Sequence, residues 1–346
     1  MNSDMKKISL SFLAGTLLSL LPSAVYAHER WFAQGIPATY IKPLLFSAWS
    51  TTNAAMVLAA IFGLVAAIIL HIVVGPHPLI KKLRSFTARW RAWVPILVRT
   101  TTGLVLITLT LAHQLFAPDL VVISPGALMP RVLLTLQLLA GLGLITGVLL
   151  RAASILGIVV YLATFLLFPL WSVASYLHFL GIFIYLIMTG DPSLPRAAEK
   201  SFFAHVIALF NARQYHPFAL PILRIGMGLG IIIVALFNKL LDPAFALEFV
   251  RTHTVNFMPA LGFQYFSNEL FVLAAGLVEL LIGMLLVLGI LPRLVGAVLI
   301  GVFTLTLFSF GIQELVGHVP LYAIAFGLIV EGAGKRFCVL DGGRGE

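Results

Sequence analysis

The sequence is poor in charge and in cysteine. Charged residues make up only 10% of the 346 positions, whereas a soluble globular chain carries about 25%. This composition excludes a water-soluble enzyme with an ordinary charged surface. The single cysteine, Cys338, cannot form an intrachain disulfide, so a secreted disulfide scaffold and a C-x-x-C thiol relay are excluded as well.

The sequence motifs of several common cofactors are also absent. There is no P-loop, which excludes ATP-driven transport by this chain alone, and no C-x-x-C-H sequence for covalent haem attachment. No Gly-rich dinucleotide fingerprint follows a strand-like segment. Any electrons that the chain passes must therefore travel through a quinone, a b-type haem or a partner subunit.

Apolar residues, by contrast, dominate the chain. Hydrophobic residues account for 60% of it and the mean hydropathy is +1.06. Stretches long enough to cross a bilayer recur from about Phe46 onward, which predicts an all-α polytopic membrane protein embedded in lipid. We predict nine transmembrane helices, near residues 46–74, 96–116, 131–150, 152–168, 174–189, 220–241, 269–290, 294–311 and 318–334.

The N-terminus has the pattern of a secretory signal peptide. Lys6 and Lys7 precede an apolar stretch that ends near Leu21, and small residues follow as far as Ala27. We expect cleavage after Ala27, with an uncleaved signal anchor as the alternative. The mature N-terminus would then lie in the periplasm, and nine spans would place the C-terminus in the cytoplasm of a bacterium.

The net charge of +9 fits this topology. Most lysines and arginines fall in the connections that the topology places in the cytoplasm, as the positive-inside rule requires for an inner-membrane protein. The basic balance therefore needs no nucleic-acid partner. Two of these connections, 79–93 and 201–210, carry apolar residues at helical spacing, so we expect amphipathic helices that lie on the membrane surface.

Alignment of the chain with itself predicts an internal repeat. Residues 99–118 align without a gap with residues 224–243, and matches continue to the last predicted span, with extra residues in the second half near 244–267. The matched positions include Arg99 with Arg224, His113 with Asn238, Gln114 with Lys239, Gln137 with Glu279, Arg151 with Arg293, and His178 with His318. One leading helix followed by two parallel four-helix units is the predicted arrangement.

This repeat divides the predicted chain into six segments. They are a signal peptide (1–27), a periplasmic N-terminus with the first transmembrane helix and a basic interfacial helix (28–94), a first four-helix unit (95–190), an amphipathic linker (191–219), a second four-helix unit (220–334) and a cytoplasmic tail (335–346).

The polar positions of the two units resemble those of the DoxX/DoxD family of bacterial integral membrane proteins. In the second unit they are Leu223-Arg224-Ile225-Gly226, Asn238-Lys239, Gly276-Leu277-Val278-Glu279 with Gly283, Arg293 and Gly317-His318. The first unit departs from this pattern, with Gln114 in place of the lysine and Gln137 in place of the glutamate. The resemblance implies a membrane redox setting, because family members are linked to thiosulfate:quinone oxidoreductases and to membrane oxidoreductase complexes. It also implies that any activity lies in the second unit.

Glu279 is the strongest candidate for chemistry. It falls near the middle of a predicted span, where an ionised carboxylate is costly and tends to find a partner or to take up a proton. It could relay a proton during quinone reduction or pair with Lys239 or Arg224. The structural alternative is a hydrogen bond that links two helices. Lys239, at the periplasmic end of its span, either extends toward the interface or attracts an anion such as thiosulfate.

Three histidines are predicted at similar depth near the periplasmic side. His318, His178 and His113 could accept protons, contact a quinone carbonyl or bind haem, and ordinary interfacial histidines are the alternative. No H-x-x-E-H or similar spacing fixes a metal, so no metal is predicted, and haem b is a weaker expectation than quinone.

We therefore assign Glu279, His318 and Lys239 as candidate catalytic residues, and His178, His113 and Arg224 as candidate cofactor-binding residues. The function that follows is the membrane subunit of an oxidoreductase, with a second subunit as its partner, that passes electrons from a small periplasmic reductant to quinone. A non-catalytic scaffold for redox partners and a proton-coupled transporter are the alternatives.

Overall fold

The computed structural model of the chain describes residues 51–190 and 215–338, except residues 76, 148, 254, 313 and 335. The predicted signal peptide, the predicted amphipathic segment at 201–210 and most of the predicted tail lie outside the described residues. Within those residues the chain is all-helical, and Gln114 and Val121 form an isolated bridge rather than a strand.

Twelve α-helices make up the described residues. They are α1 (Thr51–Val74), α2 (Pro78–Ala88), α3 (Trp93–Leu111), α4 (Leu128–Thr146), α5 (Leu150–Thr164), α6 (Leu170–Ala174), α7 (Leu177–Thr189), α8 (His216–Ala235), α9 (Ala244–His253), α10 (Asn268–Leu288), α11 (Pro292–Phe310) and α12 (Glu314–Glu331). A π-helical turn, Leu236–Leu240, extends α8, and a 3-10 turn, Pro259–Leu261, follows α9.

The predicted membrane character is confirmed for seven helices. In length and composition α1, α3, α4, α8 with its π turn, α10, α11 and α12 are long and apolar enough to cross a bilayer. Helices α5 and α7 are apolar but have only 15 and 13 residues. The amphipathic helix predicted at 79–93 is present as α2 but ends at Ala88; residues 89–92 form turns, and Trp93 begins α3.

The predicted end of the 96–116 helix is wrong. Helix α3 ends at Leu111, and both His113 and Phe116 have left-handed backbone angles, with φ of 56° and 58°. The Phe116 side chain is buried between helices, where its ring packs edge-on against Tyr161 and Phe179. The chain leaves the helix because this aromatic ring fills the inside of the bundle, which the apolar run alone does not reveal.

Eight helices pack as two groups of four with the same contact order. In the first unit α3 packs on α4, α4 on α5, α5 on α7, and α7 on α3. In the second unit α8 packs on α10, α10 on α11, α11 on α12, and α12 on α8. The units meet where α7 lies along α8 and where α12 lies along α3. Helix α1 stands outside this assembly and packs against α10.

Glycines allow two of the helix pairs to approach closely. A methyl group on Gly103 would lie 2.7 Å from the carbonyl oxygen of Gly141, and one on Gly228 would lie 2.8 Å from that of Gly283. These contacts join α3 to α4 and α8 to α10. Small residues are the usual means of close helix packing inside a membrane.

We expect Gly228→Ala to lower the thermal stability of the purified protein. The added methyl group would force α8 away from α10, and overpacking of this kind costs about 1–3 kcal/mol. The matched control is Gly301→Ala, because a methyl group there meets nothing within 4 Å. A Tm measured in detergent should fall for the first variant only; equal Tm values for both would contradict the close packing.

Candidate functional site

The π turn at the end of α8 presents two buried polar residues. Asn238 and Lys239 both lie in this turn, which is closed by a 2.7 Å hydrogen bond from the Leu241 amide to the Leu236 carbonyl. A π turn adds a residue to the helix and re-aims the side chains that follow, and such turns are frequent at functional sites. The Asn238 side-chain oxygen is buried and accepts no hydrogen bond from the described residues.

Lys239 forms an ion pair with Glu279 of α10. Its Nζ atom lies 3.0 Å from Oε2 of Glu279, and the lysine side chain is only 7% exposed, whereas the glutamate side chain is 34% exposed. Gly276 leaves room for the lysine, since a methyl group there would lie 3.0 Å from the lysine Cβ atom. Of the two partners considered for Glu279, the structure therefore places Lys239 beside it. Charged groups inside membrane helices are stable only when paired in this way.

The aligned position in the first unit is occupied by a neutral network. Gln137 is completely buried, and its side-chain oxygen accepts a 3.1 Å hydrogen bond from the Phe116 amide. Its amide nitrogen donates to the Thr110 hydroxyl at 3.0 Å and to the Gln114 carbonyl at 2.9 Å. This glutamine fixes the loop that carries Phe116. At matched positions the first unit thus has a buried network of neutral hydrogen bonds, and the second unit has a partly exposed ion pair.

A second pair of titratable side chains, a histidine and a glutamate, lies at the start of α12. Nδ1 of His318 is 3.0 Å from Oε2 of Glu314, and both side chains are largely buried. The imidazole also stacks on Phe303 of α11, with ring centroids 4.8 Å apart. The carboxylate next to Nδ1 favours the imidazole tautomer in which Nδ1 carries the proton. Nε2 is then the ring nitrogen that can accept a proton.

Glu314 was not predicted from the sequence as a partner of His318. The sequence did contain an indication, because Glu314 and His318 are four residues apart and residues at this spacing lie on the same face of a helix. The structure adds that α9, which belongs to the extra residues near 244–267, packs on α10 and on the π turn. Phe249 and His253 of α9 also contact Phe310 at the end of α11, so this segment covers the end of the second unit at which Lys239 lies.

The other two predicted histidines differ from each other in environment. His113 is exposed in the turn after α3. His178 is buried where α7 meets α8, next to Gly230, and its Nε2 atom has no hydrogen-bond partner among the described residues. In the described part of the chain, no group of three or more His, Cys, Asp or Glu residues is arranged to hold a metal ion.

Arg224 is completely buried and donates to the ends of two helical segments. Its guanidinium contacts the carbonyl oxygens of Leu286 and Val287 at 2.5 and 2.7 Å, and those of Ala333 and Phe337 at 2.9 and 2.5 Å. A cation at a helix C-terminus stabilises the free carbonyl groups and the negative end of the helix dipole. The geometry therefore gives Arg224 a structural task, and its contact with a cofactor stays a prediction.

Three further arginines cap helix ends in the same manner. Their acceptors are the Leu144 and Ile145 carbonyls for Arg99, the Gly190 carbonyl for Arg151, and the Ile329 and Val330 carbonyls for Arg293. Arg151 and Arg293 lie in the first turn of a helix, Arg99 and Arg224 lie further along in the first half of a helix, and each of the four binds the end of a neighbouring helix. We call this side of the bundle the arginine end, and the opposite side, where Lys239 and Glu314 lie, the lysine end.

Comparison with known proteins supports the resemblance noted above. Residues 219–312 match the DoxX family, a range that runs from α8 to the end of α11 and includes both Lys239 and Glu279. Glu314 and His318 lie beyond the match. No curated protein and no solved structure matches the chain. The chain is therefore a membrane protein that is helical within its described residues and whose residues 219–312 match the DoxX family.

Proposed function

We propose that this chain is the membrane subunit of an oxidoreductase that passes electrons from a small periplasmic reductant to quinone, with its site in the second unit. The observation that carries this proposal is the Lys239–Glu279 ion pair, with a buried lysine and a partly exposed glutamate, at a position where the first unit has the neutral hydrogen-bond network of Gln137. A structural role needs no charge, as the first unit demonstrates. An ion pair retained inside a span is expected to serve binding or proton transfer.

The proposal includes a tandem repeat in which the first unit supports the second. It is supported by the shared helix contact order, by the paired close approaches at Gly103 and Gly228, and by the paired capping of Arg99 and Arg224. In this arrangement α5 and α7 complete the nine spans in the bacterial inner membrane. The lysine end then faces the periplasm and the arginine end faces the cytoplasm.

The chemistry assigned to each residue follows from its charge and exposure. With thiosulfate as the reductant, two thiosulfate ions each lose one electron and join through a new S–S bond, and the quinone gains these two electrons and two protons from the medium to become quinol. Lys239 supplies a cation for the oxyanion beneath the segment that contains α9. His318, held by Glu314 at Nδ1, is suited to take up a proton at Nε2 and then to pass it to a quinone oxygen, and Glu279 is the second group that can exchange a proton.

A proton-coupled transporter is the second candidate function. The observation that favours it is the partial exposure of Glu279 within a membrane helix, because such carboxylates also serve as proton carriers in transporters. Proton uptake that follows an added solute in proteoliposomes, without any quinone reduction, would support this candidate. The remaining alternative, a scaffold for redox partners, requires neither activity.

The test of the redox proposal is quinone reduction by membrane vesicles, with thiosulfate or sulfite as the donor. We expect His318→Ala to lower the rate by about 10²-fold or more, which is the usual effect of removing a general acid or base.

Glu314→Gln should shift the pH profile of the rate, because the histidine loses the carboxylate at Nδ1. His216→Ala, an exposed histidine at the arginine end, is the control and should match the wild type. Equal rates in His318→Ala and the control would remove His318 from the site.

A further inference from the structure

Helix α2 presents a basic and aromatic surface at the arginine end. Lys81 and Lys82 are exposed on it, and the guanidinium of Arg89 lies 4.0 Å from the centre of the Phe86 ring and 5.5 Å from that of Trp90. The sequence has no acidic residue between positions 29 and 119. Glu331, at the end of α12, interacts electrostatically with Arg91, His216 and Arg293. The surface is therefore complementary to an anion at the level of the membrane interface.

An apolar groove begins near this surface and lies on the outside of the bundle, between α1 and the helices α10 and α11. Helices α1, α10 and α11 enclose a volume of about 290 Å³ between them. Every lining residue is Gly, Ala, Leu, Ile or Val, and the groove is open on one side because Leu70, Leu294 and Val298 are each exposed by more than two fifths. Within the part of a helix that crosses the bilayer, such a groove can hold only hydrocarbon.

The basic surface of α2 and the apolar groove are connected by the chain and by two hydrogen bonds. Helix α1, which forms one wall of the groove, leads directly into α2. On the other wall, Leu291 is the residue that precedes α11. Its backbone amide donates to Nδ1 of His71 at 3.1 Å, which links the start of α11 to the end of α1. Arg293, two residues further on, donates to the Thr87 hydroxyl of α2 at 3.1 Å. The mouth of the groove thus opens beside the basic surface.

We propose that this combined surface is a binding site for an anionic phospholipid, with one acyl chain in the groove and the headgroup phosphate on the lysines of α2. Apolar lining alone would accept any hydrocarbon chain. The exposed cations at the mouth select a chain that carries a negative headgroup, and aromatic residues such as Phe86 and Trp90 suit the interface where that headgroup lies.

The bound lipid would also hold the end of α12 in place. Thr87 is buried on the inner face of α2, and its hydroxyl donates to the Val330 carbonyl at 3.0 Å. Arg293 donates to the same carbonyl and to that of Ile329. A headgroup that fixes α2 therefore stabilises the cap of α12, the helix that carries Glu314 and His318 at its other end. This inference does not depend on the redox proposal.

The test is native mass spectrometry of the full chain in detergent, with phosphatidylglycerol and phosphatidylethanolamine of identical acyl chains. We expect the wild type to retain phosphatidylglycerol several-fold better. Lys81→Gln/Lys82→Gln should abolish this preference, whereas Arg131→Gln/Arg251→Gln, which removes the same charge from exposed residues at the lysine end, should keep it. Ala66→Phe, which fills the groove, should reduce retention of both lipids; Val298→Phe fills it from α11 and serves the same purpose if the first variant does not fold.

Three outcomes would overturn the proposal. Equal retention of phosphatidylglycerol by the two double variants would remove the lysines from the site. Full competition by inorganic phosphate at the same concentration would show a free-anion site without a lipid chain. Displacement of the phospholipid by ubiquinone, with no effect of the lysine substitutions, would assign the groove to a quinone tail instead.

Discussion

The Arg224→Leu variant is expected to yield little folded protein. Arg224 is completely buried and supplies hydrogen bonds to the Leu286, Val287, Ala333 and Phe337 carbonyls. Removal of the guanidinium leaves these acceptors unpaired, and each buried acceptor without a partner costs about 1–3 kcal/mol. The combined loss is comparable to the whole stability of a typical domain, about 5–15 kcal/mol. Size-exclusion profiles in detergent and the Tm are the measurements.

Two controls separate this effect from a general loss of positive charge. Arg131→Leu removes an exposed arginine whose side chain donates to the Gly126 carbonyl, so its yield and Tm should match the wild type. The Tm of Arg99→Leu should lie between those of Arg224→Leu and Arg131→Leu. Arg99 is less buried than Arg224 and contacts only the Leu144 and Ile145 carbonyls. A Tm for Arg224→Leu that equals that of Arg131→Leu would contradict the capping role.

The second large effect is expected at the ion pair of the second unit. Lys239→Gln leaves the Glu279 carboxylate inside the span without its cation, and we expect a loss of about 2 kcal/mol, between the values for exposed and buried pairs. Glu279→Gln leaves the more deeply buried lysine unpaired and should cost at least as much. The double variant Lys239→Gln/Glu279→Gln contains no charge and reproduces the pair of glutamines in the first unit, so its loss should be smaller than the sum of the single losses.

The free energy of unfolding of all four proteins gives the coupling between the two residues. Glu269→Gln is the control, since Glu269 is an exposed glutamate at the start of the same helix. Its stability should stay close to that of the wild type. Additive losses for the single variants would mean that the 3.0 Å contact between Lys239 and Glu279 contributes nothing to stability.

The membrane helices were predictable from the sequence because lipid imposes a simple requirement. A spanning helix needs about 20 apolar residues, and apolar runs of this length mark their own positions. The end of α3 was not predictable on that basis, because Leu115 and Phe116 continue the apolar pattern beyond Leu111. The chain leaves the helix there to satisfy Gln137 and to bury an aromatic ring, which are contacts between segments distant in the sequence.

The candidate site was predictable in its residue types but not in its pairings. A charged residue inside an apolar run identified Glu279, and its depth limited its partners to a few cations. The π turn that aims Lys239 at it has no sequence signature of its own. Glu314 was not predicted because the last predicted span begins at residue 318, whereas α12 begins four residues earlier, at Glu314. The structure shows its carboxylate turned to His318.

The arginines illustrate a different limit. Cations at the ends of apolar runs fit the positive-inside rule, which indicates the side of the membrane on which they lie but not the groups that they contact. The structure directs four of them to helix C-termini within the bundle, and Arg224 is buried completely. Whether an arginine points to lipid or to a neighbouring helix depends on packing, which local sequence does not encode. The exposed lysines of α2 are among the cations that remain available to lipid.

The most direct test of the central claim compares the wild type with Lys239→Gln/Glu279→Gln in quinone reduction, with thiosulfate or sulfite as the donor. Both proteins are brought to equal folded amounts in proteoliposomes. The claim that the charged pair of the second unit serves chemistry predicts activity in the wild type and its loss in the double variant, while Glu269→Gln keeps the wild-type rate. Equal rates in the wild type and the double variant, or no quinone reduction by the wild type, would contradict it.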